Sequence, residues 1–195
     1  MSASLASVWL TGFNRNTASK PLNTRRTVAA SSTFPWTILR PNSFYQNDYR
    51  FKPVLLQHGV YPQPLGSAGL SRVDVRDIAE AAAIALVEGG HGGEIYDLVG
   101  PEAVTGESTA AVWSEVLGRP VVYGGDDLDA WEAQALQMLP PFMAYDFRLM
   151  YGHFQRHGLV ASPEAIDRLT RLLGHPPRAF ADFARETATA WRSRA

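Results

Sequence analysis

Short apolar runs alternate with amphipathic segments over residues 1–125. Four runs have the length and the apolar, partly β-branched character of buried strands, at 5–13, 36–40, 92–100 and 120–125. Between them lie two strongly helical segments, at 72–90 and 105–118, and weaker helical patterns at 24–32 and 49–51. Because such alternation is the pattern of a parallel sheet covered by helices, this part of the chain is predicted to be α/β.

The helix predicted at 72–90 carries the clearest local signals. Asp74 stands at the position of an N-cap, where its carboxylate can accept a hydrogen bond from the free amide of Asp77. Gly89 is placed to end the helix, as glycine often does just after a last turn. The apolar face is predicted to comprise Ile78, Ala82, Ala85 and Leu86.

Residues 126–195 are predicted to be almost entirely helical. Helical patterns cover 128–139, 141–157, 164–173 and 179–192. Ser162-Pro163 supplies a start signal for the third of these helices. We therefore divide the chain into a sheet-containing part, 1–125, and a helical subdomain, 126–195, that covers one end of the sheet.

The composition excludes several classes of function. Of the 195 residues, 46% are hydrophobic and 19% are charged, which is enough apolar material for a core. The net charge is −1 without a basic stripe, so nucleic-acid binding is not expected. The absence of cysteine excludes disulfides, thiolate metal sites and a cysteine nucleophile. Neither a membrane segment nor a signal peptide is predicted, and the expected location is the cytoplasm.

The sequence contains no motif that assigns catalytic residues. The sequence contains no G-x-G-x-x-G turn, no Walker-type phosphate loop and no tyrosine followed four residues later by lysine. His153 and His157 have a spacing that can bind a metal, but two solvated histidines near a helix end are the simpler interpretation. Asp126, Asp127 and Asp129 most simply cap the following helix. No metal site is therefore predicted.

The segment FPWTILRPNSFYQN, residues 34–47, is the candidate ligand site. Its pattern predicts a buried strand that ends at a proline and is followed by a polar, aromatic loop. Phe44 and Tyr45 lie just beyond the carboxyl end of this strand. Ligands of open α/β sheets bind at that edge, whereas aromatic residues at helical spacing are more simply core.

Several segments, in order and spacing, resemble the NmrA-like family of atypical short-chain dehydrogenases, which bind NAD(P). The likeness runs from about Pro35 to Trp191 and includes FPWTILRPNSFYQN, SRVDVRDIAEAAAIAL, GEIYDLVGPEAVT, SEVLGRPVVY and PPRAFADFARETATAW. It implies a partial doubly wound, Rossmann-like parallel sheet over 1–125, with interleaved substrate-side segments, and a helical substrate-side subdomain over 126–195. It also implies NAD(P) as cofactor and a small-molecule substrate.

The resemblance gives expected roles to particular residues. Those expected beside the nicotinamide are Pro41, Asn42, Ser43 and Phe44, and Thr11 is expected near the nicotinamide ribose. The residues expected to face the substrate are Phe44, Tyr45 and Asn47.

The departures from the family pattern lie before residue 35. The family's opening strand, its G-x-x-G-x-x-G turn and the next βα units would precede Leu5. At ~30 residues or more per βαβ unit, roughly a hundred residues of the pattern are absent from the sequence. The resemblance therefore predicts a sheet without its N-terminal strands, weakened cofactor binding and no residue that chooses between NAD and NADP.

Three functions remain open from the sequence. The first is an NAD(P)H-dependent oxidoreductase acting on a quinone or a similar flat substrate. The second is a non-catalytic nucleotide sensor or regulatory binder, and the third is an inactive truncated fragment. In the third case SVWLTG, at 7–12, would expose a strand edge through which the chain could self-associate.

Overall fold

A computed structural model of the chain describes the backbone of residues 7–10 and the whole of residues 36–193. Thr11 and the helix expected at 24–32 lie outside the described residues.

A parallel sheet of three strands forms one layer, in the order β1-β2-β4. These strands are Ser7–Leu10, Trp36–Pro41 and Glu94–Leu98. Two short strands, β3 (Val60–Tyr61) and β5 (Val122–Tyr123), form a second parallel pair. The predicted α/β class with a Rossmann-like parallel sheet is confirmed. Among the described strands β1 pairs only with β2, and self-association through its other edge stays a prediction.

Seven α-helices lie in the described part of the chain, together with a 3₁₀ helix at Tyr45–Phe51. The α-helices are α1 (Lys52–His58), α2 (Val75–Val87), α3 (Gly106–Leu117), α4 (Leu128–Ala135), α5 (Pro141–His157), α6 (Pro163–Leu173) and α7 (Phe180–Arg192).

One helix is shorter than predicted, and another has no counterpart in the prediction. The helix expected at 128–139 ends at Ala135, because the amide of Met138 bonds the Ala135 carbonyl in a tighter turn before Pro140. Helix α1 was not predicted, although Pro53 in its first turn and Gly59 after its end are ordinary helix signals. Gly59 has a φ of 62°, a left-handed conformation that favours glycine.

Helix α2 begins as predicted but differs in detail. The Asp74 side chain accepts a hydrogen bond from the amide of Arg76, at 2.9 Å, rather than from that of Asp77. The helix ends at Val87, before Gly89. Leu86 is 51% exposed, while Ala81 is fully buried. The buried face of the helix is therefore rotated by about one residue from the predicted face.

One core lies between the sheet, α2 and α6. Leu39 of β2 and Leu98 of β4 are fully buried, and Ile78 of α2 and Leu169 of α6 pack against them in the same cluster. Each buried aliphatic side chain of this size contributes about 1.5–3 kcal/mol. Helices α2 and α6 thereby pack together against the β2-β4 pair.

A second core is built on aromatic side chains from distant parts of the chain. Trp113 of α3 contacts Phe180 edge-on and stacks on Trp191, with ring centroids 6.2 and 5.2 Å apart respectively. Tyr45 and Tyr151 belong to the same cluster. This core takes residues from both sides of position 125, and the division of the chain at that position stays a prediction.

In the described ranges, 7–10 and 36–193, none of the helices combines the length with the apolar character needed to cross a lipid bilayer.

Gly100 marks a close approach between the end of β4 and the loop before α2. A Cβ built on Gly100 would overlap the carbonyl oxygen of Arg72 and lie 2.5 Å from the Tyr45 hydroxyl. We expect Gly100→Ala to lower the free energy of unfolding by about 1–3 kcal/mol in urea denaturation, because the buried neighbours must move.

Gly89→Ala is the matched control for this substitution. Gly89 has no neighbouring atom within 4 Å of an added Cβ and does not have a positive φ. Its replacement is expected to be neutral or to stabilise by less than about 1 kcal/mol. Equal effects of the two substitutions would contradict the close approach at Gly100.

Candidate functional site

The loop that follows β2 is held by a short ladder of backbone hydrogen bonds. The amide of Val73 donates to the Ser43 carbonyl, and the amide of Tyr45 donates to the Val73 carbonyl, both at 2.9 Å. The partner segment leads directly into α2. The carboxyl end of β2 therefore continues into a fixed backbone rather than a free loop.

Asn42 ties this loop to two other parts of the fold. Its amide donates to the Leu98 carbonyl of β4 at 3.0 Å, and its side-chain Nδ2 donates to the Leu159 carbonyl, beyond α5, at 2.9 Å. Its Oδ1 accepts the Ser43 amide at 2.7 Å. Asn42 is buried, and its side chain is occupied by contacts within the protein. The structure thus gives Asn42 a role in shaping the loop.

The loop directs its aromatic residues to opposite sides. Phe44 is 36% exposed, and Pro41, Ser43 and Asn47 are partly exposed. Tyr45 is fully buried. Of the residues named from the sequence, Phe44, Ser43, Pro41 and Asn47 thus present surface at the carboxyl edge of the sheet.

Tyr45 belongs to the aromatic core instead of this surface. Its ring meets Phe180 edge-on, with centroids 5.2 Å apart, and its hydroxyl donates to the Arg178 carbonyl at 3.1 Å. Burial raises the pKa of Tyr45 well above its ordinary value, partly offset by the charge of Arg72. The Tyr45 side chain is thus part of the core and presents no surface to a substrate.

A fully buried ion pair lies directly beneath the loop. Arg72 Nη2 contacts Asp48 Oδ1 at 2.7 Å, and neither side chain has any exposed surface. Asp48 also accepts hydrogen bonds from Tyr61 Oη, Gln63 Nε2 and Trp113 Nε1. A buried carboxylate with this many donors is satisfied, which a lone buried charge would not be.

Arg72 connects this ion pair to the exposed loop. Its Nη2 donates to the Phe44 carbonyl at 2.8 Å, and its guanidinium lies over the ring of Phe180, 5.3 Å from the centroid. Burial alone would lower the pKa of Arg72, but the adjacent Asp48 carboxylate outweighs it and raises the pKa. The cation therefore fixes the backbone on which the Phe44 side chain is carried.

Gln46 and Asp74 join the loop to the first turn of α2. Gln46 Nε2 donates to Asp74 Oδ1 at 2.9 Å, and Gln46 Oε1 accepts the amide of Val75 at 3.0 Å. Burial would raise the pKa of Asp74, but hydrogen bonds from Arg76 and Gln46 outweigh it and hold that pKa below its ordinary value. The sequence indicated Asp74 as a cap but gave no sign of Gln46 as its partner.

We expect Asp48→Asn to lower the free energy of unfolding by about 3–5 kcal/mol, because it leaves the Arg72 charge buried without its counter-ion. The double variant Asp48→Asn/Arg72→Met should lose less free energy of unfolding than the sum of the losses in the two single variants. Urea denaturation of the two single variants and the double variant measures this coupling.

The control for this prediction is the exposed pair Asp182–Arg185, whose side chains are 59% and 63% exposed. Asp182→Asn should cost less than about 1 kcal/mol. If Asp48→Asn were no more destabilising than Asp182→Asn, the buried pair would not be holding the loop.

A second charged cluster joins α2 to the segment between α6 and α7. Asp77 is fully buried and accepts the Arg178 amide at 2.9 Å, and the Arg178 guanidinium bonds both Asp77 and Glu80. His175 Nε2 lies 3.1 Å from Glu80 Oε1. Asp77, Glu80 and His175 bring ligand atoms within 4.8 Å of one another. Because Arg178 already places a positive charge among them, the cluster is explained as an ion-pair network.

His175 makes this network dependent on pH. Its hydrogen bond to the Pro176 carbonyl, followed by that to the Glu80 carboxylate, raises the pKa of His175 above its ordinary value, while burial and Arg178 oppose the shift. A raised folded-state pKa stabilises the fold fully below the ordinary histidine value of about 6.5, and this contribution disappears as pH rises through the folded-state pKa.

We therefore expect His175→Gln to destabilise the protein most at acidic pH, near about 5.5, by less than about 1 kcal/mol, with the difference shrinking towards about pH 9. Urea midpoints of the two proteins across this range measure the effect. A difference that grows with pH would contradict the ion pair.

Comparisons with known proteins agree with this fold. The sequence matches no protein-family profile. It is 36% identical over 160 residues to (4-alkanoyl-5-oxo-2,5-dihydrofuran-3-yl)methyl phosphate reductase of Streptomyces griseus, covering 82% of this chain and 56% of that protein. It is 32% identical over 165 residues to the NAD(P)H azoreductase of Xenophilus azovorans, covering 82% of this chain and 55% of that protein.

A solved structure shows the same relationship. The NADPH-dependent quinone oxidoreductase of Escherichia coli, complexed with NADPH, superposes with a TM-score of 0.74 at 26% identity. The match covers 85% of this chain and 58% of that chain. The chain is a homologue of NAD(P)H-dependent reductases. It spans about half the length of the curated relatives it matches, at 56% and 55%.

Proposed function

We propose that this reductase homologue is an NAD(P)H-dependent oxidoreductase of the NmrA-like type. The observation that carries the proposal is the fixed loop at the carboxyl end of β2, which presents Phe44 beside partly exposed Ser43 and Asn47. Open α/β sheets bind dinucleotides at this edge. The relatives named above are reductases, two of which use NADPH or NAD(P)H.

The described residues fit a role in holding a nicotinamide ring. Phe44 offers an aromatic surface, and its backbone is fixed by Arg72 and by the ladder to Val73. A fixed backbone lowers the entropic cost of orienting a bound ring, which is the contribution expected of the protein. The bound cofactor would supply a hydride, while the protein orients the ring and excludes water from one side of it.

Substrate contact is proposed for the same surface. Phe44 and Asn47 combine an aromatic ring with an amide that can hydrogen-bond a carbonyl or azo nitrogen. Asn47 Oδ1 also accepts from Arg50 Nη2 at 3.3 Å, so the amide group is oriented by its neighbour. A flat, conjugated substrate of the quinone class fits such a surface, since aromatic rings offer area without many rotatable bonds.

We further propose that these 195 residues by themselves bind the dinucleotide weakly. The sequence contains no glycine-rich turn of the dinucleotide-binding type. Backbone amides at such a turn and the following helix N-terminus hold the pyrophosphate. A chain without these donors would hold the nicotinamide in the right orientation but with reduced affinity.

Titration calorimetry with NADH and NADPH tests the proposal, using the E. coli quinone oxidoreductase as reference. We expect saturable binding that is weaker than that of the reference. Phe44→Ala should weaken it by a further two- to tenfold, equivalent to the ~0.5–1.5 kcal/mol of an aromatic contact.

Phe142→Ala serves as the matched control, because Phe142 is 67% exposed on α5 and is not part of the loop. Affinity equal to that of the reference would contradict the weak-binding proposal. Unchanged affinity in Phe44→Ala would contradict the placement of the site. The absence of any binding by either nucleotide would contradict the cofactor role for these residues.

A further inference from the structure

The 3₁₀ helix at Tyr45–Phe51 has one face turned towards the core. Because a 3₁₀ helix has three residues per turn, side chains three positions apart lie above one another. Tyr45 and Asp48 lie on the core face and have no exposed surface. Phe51, one turn further, packs edge-on against the ring of Tyr61, with centroids 6.5 Å apart. The buried ion pair and the aromatic core therefore occupy this face completely.

A neighbouring face of the same helix carries an aromatic ring, an amide and a guanidinium in that order. Phe44 immediately precedes the helix, and its carbonyl accepts the amide of Asn47 at 3.3 Å. Arg50 follows Asn47 after one further turn. Phe44 and Arg50 are exposed, and Asn47 is partly exposed. At a rise of about 2 Å per residue, successive members of this row are separated by about 6 Å along the helix.

The Arg50 side chain is held in one orientation by its neighbours. Its Nε donates to the Asn47 carbonyl at 3.1 Å, and its Nη2 donates to Asn47 Oδ1 at 3.3 Å. The guanidinium also lies over the rings of Phe51 and Phe147, with Cζ 5.8 and 5.9 Å from their centroids. A side chain that is already ordered loses less conformational entropy when it binds a ligand.

The opposite edge of the guanidinium has no acceptor among the described residues. Asn47 occupies the edge formed by Nε and Nη2, which leaves Nη1 and the second hydrogen of Nη2. Such a pair of parallel donors matches two oxygens of a carboxylate, a sulfonate or a phosphate. In the described ranges no carboxylate forms an ion pair with Arg50.

The charge of Arg50 is not neutralised by the groups around it. The Asp48 carboxylate lies on the core face and is paired with Arg72. Burial raises the pKa of Tyr151 to about 12, and the positive charge of Arg50 is the largest influence that opposes this shift. The field of Arg50 thus extends to the neighbouring helix α5, and an anion bound beside it would gain from that field.

We propose that Arg50 makes this site selective for flat substrates that carry an oxyanion group (a carboxylate, sulfonate or phosphate) at one end. The inference rests on the proposed function, which assigns Phe44 and Asn47 to the flat part of the substrate. With a ring against Phe44 and a carbonyl at Asn47, a substituent at the far end of the substrate reaches the unoccupied edge of Arg50. Arg50 then determines specificity, whereas the reaction itself takes place at the ring.

The test uses two ligands that differ in charge, a 1,4-naphthoquinone with a short carboxyalkyl chain and the methyl ester of the same compound. Calorimetry on the 195-residue chain measures both dissociation constants. We expect the acid to bind about three- to tenfold more tightly than the ester, as for a forked ion pair that is partly exposed. Raising NaCl from about 0.05 to 0.5 M should reduce this preference, because salt screens exposed charges.

Substitutions of Arg50 separate recognition of the anion from a structural role. Arg50→Gln should abolish the preference for the acid, because it removes the charge. Arg50→Lys should retain part of the preference, since an ammonium keeps the charge but lacks the fork. A merely structural role would weaken the binding of acid and ester equally and leave their ratio unchanged.

Arg119→Gln is the matched control. Arg119 is also exposed, has no ion pair among the described residues, and donates to a backbone carbonyl, that of Leu56. Because Arg119 does not belong to the row on the 3₁₀ helix, its replacement should leave the ratio of the two dissociation constants unchanged. Circular dichroism checks that each variant is folded before titration.

The possible outcomes distinguish this inference from the function on which it rests. Equal binding of acid and ester by the native chain would overturn the role of Arg50 and leave the surface for flat ligands standing. Binding of neither ligand would contradict that surface and this inference together. A preference that survives Arg50→Gln, or that Arg119→Gln removes equally, would also overturn the inference. If Arg50→Gln weakens NADPH binding without changing the acid-to-ester ratio, Arg50 contacts a cofactor phosphate instead, and the inference is wrong.

Discussion

The buried ion pair between Asp48 and Arg72 is the interaction on which the rest of the described structure depends. Removing two charges from water costs several kcal/mol per ion, and this cost is offset only when each charge is fully surrounded by partners. Asp48 has four donor groups around it, contributed by three separate segments. Those segments, the β3 region, α3 and the strand-like approach to α2, are therefore fixed relative to the 3₁₀ helix that carries Asp48. Arg72 is less completely satisfied, because its Nε has no hydrogen-bond partner among the described residues.

The arrangement of side chains in the candidate site follows from this buried ion pair rather than from the loop's own sequence. Arg72 holds the carbonyls of residues 44 and 45, and the ladder to Val73 fixes the backbone between them. With that backbone fixed, successive side chains must point to opposite sides. Tyr45 enters the aromatic core, and Phe44 is left at the surface. The buried charge of Arg72 thus determines that Phe44, and not Tyr45, lies where a ligand could contact it.

The dependence of the site on a contact between distant residues also explains how far the sequence could predict the structure. Helices with local signals were predicted closely, such as α6 with its Ser162 cap and α3, which ends at Leu117 just before Gly118. The parallel sheet followed from the alternation of elements. The contact between Asp48 and Arg72 joins positions 24 residues apart and has no local signal. Phe44 and Tyr45 could not be distinguished either, because their orientation depends on that contact, which composition and periodicity do not encode.

Orientation and affinity are separate properties of a dinucleotide site, and they depend on different parts of the protein. Affinity depends largely on amides that hold the pyrophosphate, whereas hydride transfer depends on where the nicotinamide ring lies relative to the substrate. In this chain the residues proposed to orient the ring are fixed by Asp48, Arg72 and Asn42, all within the described part of the fold. A low affinity measured for these residues would therefore not imply a distorted nicotinamide site. Conversely, a variant that loosens the buried pair should disturb orientation even at a nucleotide concentration high enough to saturate binding, because the phosphate contacts cannot restore the backbone beneath Phe44.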